Sequence, residues 1–321
     1  DILGEIGDMQ LREPSKHNPL KPDGYSVQKV ARIISASNRP VIWAGGGVIT
    51  SGASMSLQQL AEHLQAPVIV TGEGKGALSD HHYLALGTHN YINDSVGEYV
   101  EGCDLIIAVG TRLARPTVED GHRIIQIDID NDEIGRNYPI ISGIHGDARL
   151  TLEALYQKLS SSPQRPSRLM EVKAVKAQRK EAMSLLQPQG PFVQAIRSAM
   201  PDDSIVVEGV TQIGYASRVY YKVYTANGYI NSSYFGNLGF TYPTALGAKI
   251  AQPDKAVVAI SGDGGFLFNS QELATAVKYG INAVVIVFND NAYGNVMRDQ
   301  STKFNGRVIG ADLHNPNFVK L

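Results

Sequence analysis

Two aspartates at matching places in the sequence could together hold a divalent cation. Asp263 follows the apolar run 256–260, and Asp290 follows the apolar run 283–288. Two carboxylates with a backbone carbonyl nearby offer the oxygen ligands that Mg²⁺ prefers, and Mg²⁺ usually completes its octahedron with waters and phosphate oxygens. These residue types therefore indicate an anionic ligand that is anchored through magnesium.

Two glycines beside the first aspartate could bring backbone N–H groups close to a phosphate. Gly264 and Gly265 lack a Cβ atom, so a phosphate can approach their backbone closely. The helix predicted after them would direct the positive end of its dipole toward the same place. A Gly-Asp-Gly triplet is also an ordinary turn. The spacing to Asp290 favours the alternative, which is a site for a diphosphate bound with Mg²⁺.

A βαβ unit would position these residues. Runs 256–260 and 283–288 are rich in Val and Ile, as expected for strands that are buried on both faces. Between them, Asn269 and Glu272 predict a capping box, and Gly280 predicts the end of the helix. The two strands of such a unit are parallel and end at one edge of the sheet. Open α/β sheets bind their ligands at that edge.

Alternating strand and helix patterns along the whole chain predict two α/β domains. Residues 1–25 are interpreted as a linker or arm, 26–160 as a central domain, 161–189 as a linker with one exposed helix, and 190–321 as a second domain. The strands predicted for the central domain span 40–44, 67–70, 105–109, 124–129 and 140–144. We therefore predict an α/β fold of two doubly wound parallel-sheet domains.

Capping residues and glycines predict the remaining boundaries. The predicted helix starts are Ser26, Ala53, Leu150, Pro191 and the segment after Pro243. Residues 209–212 and 235–240 are interpreted as glycine-containing turns, and 204–207 as a strand. Glu208 falls at the end of that strand, near the predicted crevice, and receives no role from the sequence.

These motifs resemble the thiamine diphosphate enzymes, and among them acetolactate synthase and related 2-oxo-acid decarboxylases and carboligases. The family has a GDG motif, one helix, and then a pair of amides, for which this chain has Asn289 and Asp290. The first domain resembles the family's central domain in the segments PVIWAGGG, APVIVTGEGKGALSD, CDLIIAVGTR and IIQIDIDNDEIGRN. The second resembles its diphosphate-binding domain, and a counterpart of the N-terminal pyrimidine-binding domain is missing from the sequence.

The resemblance implies a set of ligands. Mg²⁺ would be held by the side chains of Asp263 and Asp290 and by the backbone carbonyl of Ala292. Thiamine diphosphate would be bound by Gln212, Gly236, Leu238, Asp263, Gly264, Gly265, Asp290, Tyr293, Gly294 and Asn295. In the family, the residue at the position of Leu238 props the cofactor into a bent V shape. Asp290 stands where the family usually has Asn, and its extra charge should raise the demand for Mg²⁺.

The resemblance also implies an activity. Family members decarboxylate a small 2-oxo acid through an ylid and an enamine of the cofactor, and some then form a new C–C bond. Their activating glutamate lies on the N-terminal domain, usually of a partner subunit, and none of Glu5, Glu13 and Glu73 has a matching context. We therefore expect a homodimer or homotetramer, and a chain that is inactive alone. Asp299 stands at the position of a family Trp, which favours a substrate other than that of acetolactate synthase.

Two other classes of function stay open at this point. A nicotinamide-dependent oxidoreductase is suggested by the glycines at 45–47 after a predicted strand, but Thr50 occupies the third glycine position, so a tight turn is favoured. FAD or ADP in the central domain is a further option, because 87–90 partly resembles a family segment near FAD. A non-catalytic binding protein is the second class, since Asp290 alters the metal site.

Composition excludes several partners and suggests a compartment. The 321 residues carry a net charge of −2, so there is no electrostatic case for binding nucleic acid or an anionic membrane, and no apolar run approaches a membrane span. The single cysteine, Cys103, fits a reducing compartment, and we expect a cytoplasmic protein. The first residue is Asp rather than Met, and 315–321 resembles the start of a helix, so we expect a piece of a longer protein. His81, His82 and His89 lack metal-ligand spacing.

Overall fold

A computed structural model describes residues 18–89, 95–114, 118 and 121–321. Most of the predicted arm 1–25, including Glu5 and Glu13, and the end of segment 87–90 lie outside the described residues. The described chain folds into two α/β units, each built on a parallel sheet. The predicted fold class is therefore confirmed.

The first unit contains a six-stranded parallel sheet in the order β3-β2-β1-β4-β5-β6. Its strands are β1 Pro40–Ala44, β2 Val68–Val70, β3 Ala85–Thr88, β4 Leu105–Val109, β5 Ile124–Asp128 and β6 Ser142–His145. Its helices are α1 Gly24–Ser35, α2 Gly46–Thr50, α3 Ser54–Leu64, α4 Ser95–Glu101 and α5 Ala148–Leu159. The central strands β1 and β4 are buried along their whole length, which explains why their sequences are continuously apolar.

The second unit contains a four-stranded parallel sheet in the order β10-β9-β7-β8. Its strands are β7 Ile205–Glu208, β8 Tyr229–Ile230, β9 Val257–Gly262 and β10 Val284–Phe288. The accompanying helices are α7 Gln189–Ala199, α8 Gln212–Tyr220, α9 Thr241–Ala251, α10 Asp263–Leu267, α11 Glu272–Tyr279 and α12 Gly294–Lys303. The hydrophobic core of this unit lies between the sheet and α7, α8 and α9.

Helix α6, Leu169–Leu185, joins the two units. Val172 and Val175 on this helix are buried in the core of the first unit, while Met170 and Leu185 are exposed. The helix also contacts β3 and α7, and α8 contacts β3 as well. The edge strand β3 is therefore the place where the first unit meets α6 and the second unit. Among the described residues, no helix is long and apolar enough to cross a membrane.

Several predicted features of the second unit are wrong. Strand β10 is not buried on both faces, because it is the edge of its sheet and Val284 is 57% exposed. The capping box is absent, since the side chain of Asn269 donates to the Gly239 carbonyl at 2.6 Å instead of capping α11. Gly280 does end that helix, in the left-handed conformation (φ 63°) that favours glycine.

Other boundaries differ by a few residues or were missed. Helix α1 begins before Ser26, because the carboxylate of Asp23 accepts the backbone N–H groups of Tyr25 and Ser26. The predicted strand 140–144 is shifted to Ser142–His145. Elements that the sequence reasoning missed are α2, β3, α4, α8, β8, α10 and α12. Residues 318–320 form a turn, in which the N–H groups of Lys320 and Leu321 donate to the carbonyl of Asn317.

Candidate functional site

The parallel pairing of β9 and β10 brings the two aspartates to one edge of the sheet. The register pairs Phe288 with Gly262 at the ends of the strands. Asp263 follows directly and is only 2% exposed, and Asp290 follows two residues after β10. The two strands are therefore parallel neighbours, and both aspartates lie at the same edge of the sheet, as predicted from the βαβ pattern.

The two carboxylates repel each other. The pKa of Asp290 lies above its ordinary value, first because the group is partly buried and next because the negative charge of Asp263 is close. The backbone N–H of Ala292 donates to Asp290 and opposes this shift. A pair of like charges at a sheet edge favours a cation that would neutralise both.

Asn315 completes the surroundings of Asp263. Its Nδ2 donates to Oδ2 of Asp263 at 2.6 Å and to Oδ1 of Asn289 at 2.8 Å. Its own Oδ1 is buried and has no hydrogen-bond partner among the described residues. An acceptor without a donor, next to a carboxylate pair, is what a cation or its bound water would satisfy. The sequence reasoning missed this residue.

A backbone bridge brings Asn315 to the site. Ala292 pairs with Asp312 in an isolated antiparallel bridge, and the N–H of Tyr293 donates to the carbonyl of Ala311 at 2.7 Å. The bond from Asn315 to Asp263 spans 52 residues. No local pattern signals so distant a contact, so sequence reasoning could not find it.

The two glycines after Asp263 lie against other predicted site residues. A Cβ atom on Gly264 would stand 2.5 Å from Cε1 of Tyr293, so only glycine leaves room for that ring. A Cβ atom on Gly265 would lie 3.7 Å from Cδ2 of Leu238, which is an ordinary contact distance. Helix α10 starts at Asp263 but is only five residues long. The helix N-terminus at these glycines therefore belongs to a short helix that was not predicted, and the predicted helix begins later, at Glu272.

Gln212 and Gly294 lie beside Asp290. A Cβ atom on Gly294 would stand 2.8 Å from Oδ2 of Asp290 and 3.8 Å from Nε2 of Gln212. Nε2 of Gln189 donates to Oε1 of Gln212 at 3.0 Å, so the amide nitrogen of Gln212 is left as the donor on the Gly294 side. This orientation suits contact with an anion.

Two further predicted residues, Gly236 and Asn295, form no hydrogen bond with Asp263 or Asp290 among the described residues. Gly236 lies in an open loop with a positive φ of 54°, and no atom comes within 4 Å of its Cβ position. Oδ1 of Asn295 accepts a hydrogen bond from Nη2 of Arg298 at 2.8 Å. Their contact with a cofactor stays a prediction, as does the use of the Ala292 carbonyl as a metal ligand.

Other candidate metal groups do not form. The described residues contain no cluster of three His, Cys, Asp or Glu side chains. The three histidines singled out above contact different partners, since His81 stacks on Tyr224, His82 meets Glu62, and His89 stacks on Trp43. The Asp263–Asp290 pair supplies two carboxylates only. It therefore suits Mg²⁺, which takes few protein ligands and several waters or phosphate oxygens.

Comparison with known families identifies both units. Residues 27–155 match the model described as thiamine pyrophosphate enzyme, central domain. Residues 209–321 match the model described as thiamine pyrophosphate enzyme, C-terminal TPP binding domain. The chain belongs to the thiamine pyrophosphate enzymes. Thiamine pyrophosphate is the same compound as thiamine diphosphate, so the carboxylate pair and its glycines lie in the cofactor-binding domain of this family.

Similar curated proteins are longer than this chain. It is 31% identical to the probable acetolactate synthase large subunit of Methanococcus aeolicus, over 100% of the chain and 60% of the relative. It is 35% identical to the probable acetolactate synthase large subunit of Methanocaldococcus jannaschii, over 92% of the chain and 53% of the relative. It is 30% identical to the probable 2-ketoarginine decarboxylase AruI of Pseudomonas aeruginosa, over 94% of the chain and 54% of the relative. The chain thus spans little more than half the length of these relatives.

Family membership favours thiamine diphosphate over a nicotinamide cofactor, and the glycines at 45–47 have another explanation in this thiamine pyrophosphate enzyme. A Cβ atom on Gly45 would collide with the carbonyl oxygen of Gly110, and one on Gly47 would lie 2.6 Å from Cα of Gly110. Close packing of the loops after β1 and β4 therefore requires glycine here. Helix α2 begins at Gly46, so the predicted turn is in part a short helix.

Gly264 gives a direct test of the site's packing. We expect Gly264→Ala to destabilise this thiamine pyrophosphate enzyme by about 1–3 kcal/mol, because the new methyl group must displace the ring of Tyr293. Gly247→Ala, within α9, is the control, because nothing lies within 4 Å of its Cβ position and Ala is the better helix former by about 1 kcal/mol. Urea unfolding of both variants measures the difference. A Gly264→Ala variant that is as stable as Gly247→Ala would show that the Tyr293 contact is not made.

Proposed function

We propose that the protein containing this chain is a thiamine diphosphate- and Mg²⁺-dependent enzyme that decarboxylates a 2-oxo acid or uses it to form a new C–C bond. The observation that carries the proposal is the carboxylate pair of Asp263 and Asp290 beside Gly264 and Gly265, at the carboxyl edge of the sheet in the TPP-binding domain. Such an edge is where open α/β sheets take their ligands.

The residues present fit the metal and the diphosphate. Asp263, Asp290 and the carbonyl of Ala292 would hold Mg²⁺, whose charge would offset the repulsion between the two carboxylates. The backbone N–H groups of Gly264 and Gly265 and the amide of Gln212 would donate to the diphosphate. The bound cofactor supplies an electron sink for C–C bond cleavage next to a carbonyl.

Other residues would shape the cofactor's surroundings. Leu238 is half-buried beside Gly265 and would support the bent conformation that the family resemblance implies. Tyr293 lies over Gly264 and would shield the diphosphate from water, which strengthens the electrostatic interactions of that group. Gly236, Gly294 and Asn295 would contribute through their loops.

Two observations support a substrate class: the names of the relatives, and one position where this chain differs from the family pattern. The relatives are named acetolactate synthase and 2-ketoarginine decarboxylase, and these names support a 2-oxo acid as substrate. Asp299 stands at the family's Trp position, within an exposed helix, and supports a substrate that differs from that of acetolactate synthase. The activating glutamate would come from outside this chain, in a homodimer or homotetramer.

A cavity beside the central domain would accept a nucleotide such as FAD or ADP. A cavity of about 340 Å³ lies at the carboxyl edge of that sheet, lined by residues that include Trp43, Thr71 and Arg112. The Arg112 guanidinium stacks on the ring of Tyr234, 3.6 Å from its centroid, and both residues line this cavity. A planar cation and aromatic rings suit a nucleotide.

Carbon dioxide release from a panel of 2-oxo acids tests the proposed function. The panel should contain pyruvate, longer aliphatic 2-oxo acids and a 2-oxo acid with a cationic side chain, each assayed with thiamine diphosphate and Mg²⁺. The chain should be assayed alone and together with the pyrimidine-binding domain that the family resemblance places upstream. We expect turnover of at least one acid in the second case. A preparation that binds the cofactor yet releases no carbon dioxide from any acid would favour a binding protein.

A further inference from the structure

A second large cavity lies where the central domain, α6 and the TPP-binding domain meet. It has a volume of about 710 Å³, which is within the range of small-molecule sites. Its walls come from β3, from α6 and from the segments around α7 and α8. None of the residues assigned above to thiamine diphosphate or Mg²⁺ lines it. The cavity is therefore separate from the site at Asp263.

The lining of this cavity is strongly basic. Six lysines and arginines contribute to it: Lys75, Lys176, Arg179, Lys180, Arg197 and Lys222. Among the described residues that line it, Asp80 is the one carboxylate, and its Oδ2 accepts the backbone N–H of Val223 at 2.7 Å. The excess of positive charge in a concave, partly desolvated space creates a local potential that attracts anions.

Lys75 is the most deeply placed of these cations. The residue is only 3% exposed, and its ammonium lies 5.2 Å from the ring centroid of Tyr229. No hydrogen bond to its Nζ is found among the described residues. The pKa of Lys75 is lowered to about 8, mainly because the ammonium is buried; the charge of Asp80 opposes this shift and that of Arg179 contributes to it. A buried ammonium at a cavity wall without a hydrogen-bonding acceptor suggests that the cavity supplies one.

The neighbouring cations are fixed in place by backbone carbonyls. Nζ of Lys176 donates to the carbonyl of His82 at 2.8 Å, and Nη2 of Arg179 donates to the carbonyl of Val219 at 2.8 Å. These bonds to backbone carbonyls hold both side chains in position. Burial lowers the pKa of Lys176, the charge of Asp80 opposes this shift, and the charge of Lys222 adds to it. Lys176 and Lys222 therefore repel each other, as do Lys75 and Arg179, and an anion with several charges would relieve that repulsion.

Aromatic rings form part of the same wall. Tyr220, Tyr221 and Tyr224 line the cavity, and the ring of Tyr224 stacks on His81 with centroids 3.7 Å apart. The guanidinium of Arg197 lies 4.9 Å from the ring centroid of Tyr224. Planar rings beside fixed cations match a ligand that has a flat base as well as charged groups.

We propose that this cavity binds a small organic polyphosphate of nucleotide size, at a site distinct from that of thiamine diphosphate. Lysine ammonium groups act as point charges toward phosphate, and arginine adds paired N–H donors. Several phosphates are needed to engage cations that lie on α6, on the loop at Lys75 and next to α8. The inference does not depend on the proposed 2-oxo-acid chemistry, because none of the residues used here belongs to that site.

Calorimetric titration tests the proposal on the full chain, loaded with one equivalent of thiamine diphosphate in Mg²⁺. ADP and inorganic triphosphate are the probes, and their comparison separates recognition of the base from recognition of the phosphates alone. Lys180→Gln should weaken ADP binding about tenfold, since one charged contact is lost. Lys173→Gln is the matched control, because Lys173 is exposed on the same helix but does not line the cavity, and it should change binding less than about twofold.

A third variant distinguishes binding at the basic cavity from binding at the smaller cavity that Arg112 lines. Arg112 lines the smaller cavity but not the basic one, so Arg112→Gln should leave binding at the basic cavity unchanged. The proposal is overturned if ADP and triphosphate fail to bind at millimolar concentration. It is also overturned if Arg112→Gln abolishes ADP binding while Lys180→Gln and Lys173→Gln have equal effects.

Discussion

Asp263→Asn is expected to raise the Kd for thiamine diphosphate in Mg²⁺ by at least about a hundredfold. The substitution removes a buried carboxylate that we assign to the metal, and a charge-assisted contact of this kind contributes about 1.5–3 kcal/mol, or roughly ten- to a hundredfold in Kd. Loss of Mg²⁺ would weaken the diphosphate contacts as well. The shape of the side chain is nearly unchanged, so the effect would report on charge.

The same variant should fold normally. Removal of the Asp263 charge relieves the repulsion that raises the pKa of Asp290, so the cofactor-free variant should be at least as stable as the parent chain. Asp299→Asn is the control, because Asp299 pairs with Lys303 on the surface of α12 at 2.8 Å and should not affect binding. Fluorescence titration measures Kd, and thermal unfolding measures stability. If Asp263→Asn bound thiamine diphosphate with unaltered affinity, Asp263 would not be a ligand of the metal.

Arg218→Met should destabilise the chain by about 3–5 kcal/mol, because it breaks a buried ion pair from one side. Glu208 lies at the end of β7 with a side chain that is 1% exposed. Arg218 reaches it from α8 with two bonds, from Nη2 to Oε1 at 2.8 Å and from Nε to Oε2 at 3.1 Å. Methionine would keep much of the packing but leave the carboxylate buried without this partner. Urea unfolding measures the change.

Two controls separate the buried pair from a general effect of losing a cation. Lys303→Met removes a cation from an exposed pair on α12 and should cost less than about 1 kcal/mol. Glu208→Gln combined with Arg218→Met should recover part of the lost stability, because the uncompensated buried charge is gone. A double variant that is less stable than Arg218→Met alone would contradict this account.

The stability that Glu208 contributes to the folded chain should fall as the pH rises. Burial raises the pKa of Glu208 to about 7 from its ordinary value of 4.5, although Arg218 opposes the shift. Because the folded chain binds this proton more tightly than the unfolded chain, the contribution of protonated Glu208 is complete below pH 4.5 and is lost as the pH rises through about 7. Without Arg218 the pKa rises further. The destabilisation by Arg218→Met should therefore be smaller at pH 5 than at pH 8.

The central strands could be predicted from sequence because burial on both faces leaves a continuous apolar run, as in Pro40–Ala44 and Leu105–Val109. Strand β3 was missed because its sequence, ALGT, is short and contains a glycine. Helix α8 was missed because Gly214 and several Tyr and Val residues weaken its helical signal. The capping box at Asn269 failed because that side chain binds a carbonyl 30 residues away.

At the site, too, features set by neighbouring elements could be predicted from sequence, and features set by distant contacts could not. The rule that parallel strands end at one edge was enough to place Asp263 near Asp290, because the two strands are neighbours in sequence and in the sheet. Asn315 and the pairing of Glu208 with Arg218 depend on contacts across the fold, and sequence spacing carries no information about them. The sequence did mark Glu208 as lying at a strand end, but its burial and its partner are properties of the packed structure.

Native mass spectrometry of the purified chain, with thiamine diphosphate and Mg²⁺, tests the central claim most directly. The account predicts that the 34.7 kDa chain gains one thiamine diphosphate and one Mg²⁺, that a chelator removes both together, and that Asp263→Asn gains neither. Should no thiamine diphosphate bind in excess Mg²⁺, even with the upstream pyrimidine-binding domain added, the assignment of the carboxylate pair would be wrong. Binding that survives complete removal of the metal would contradict it equally.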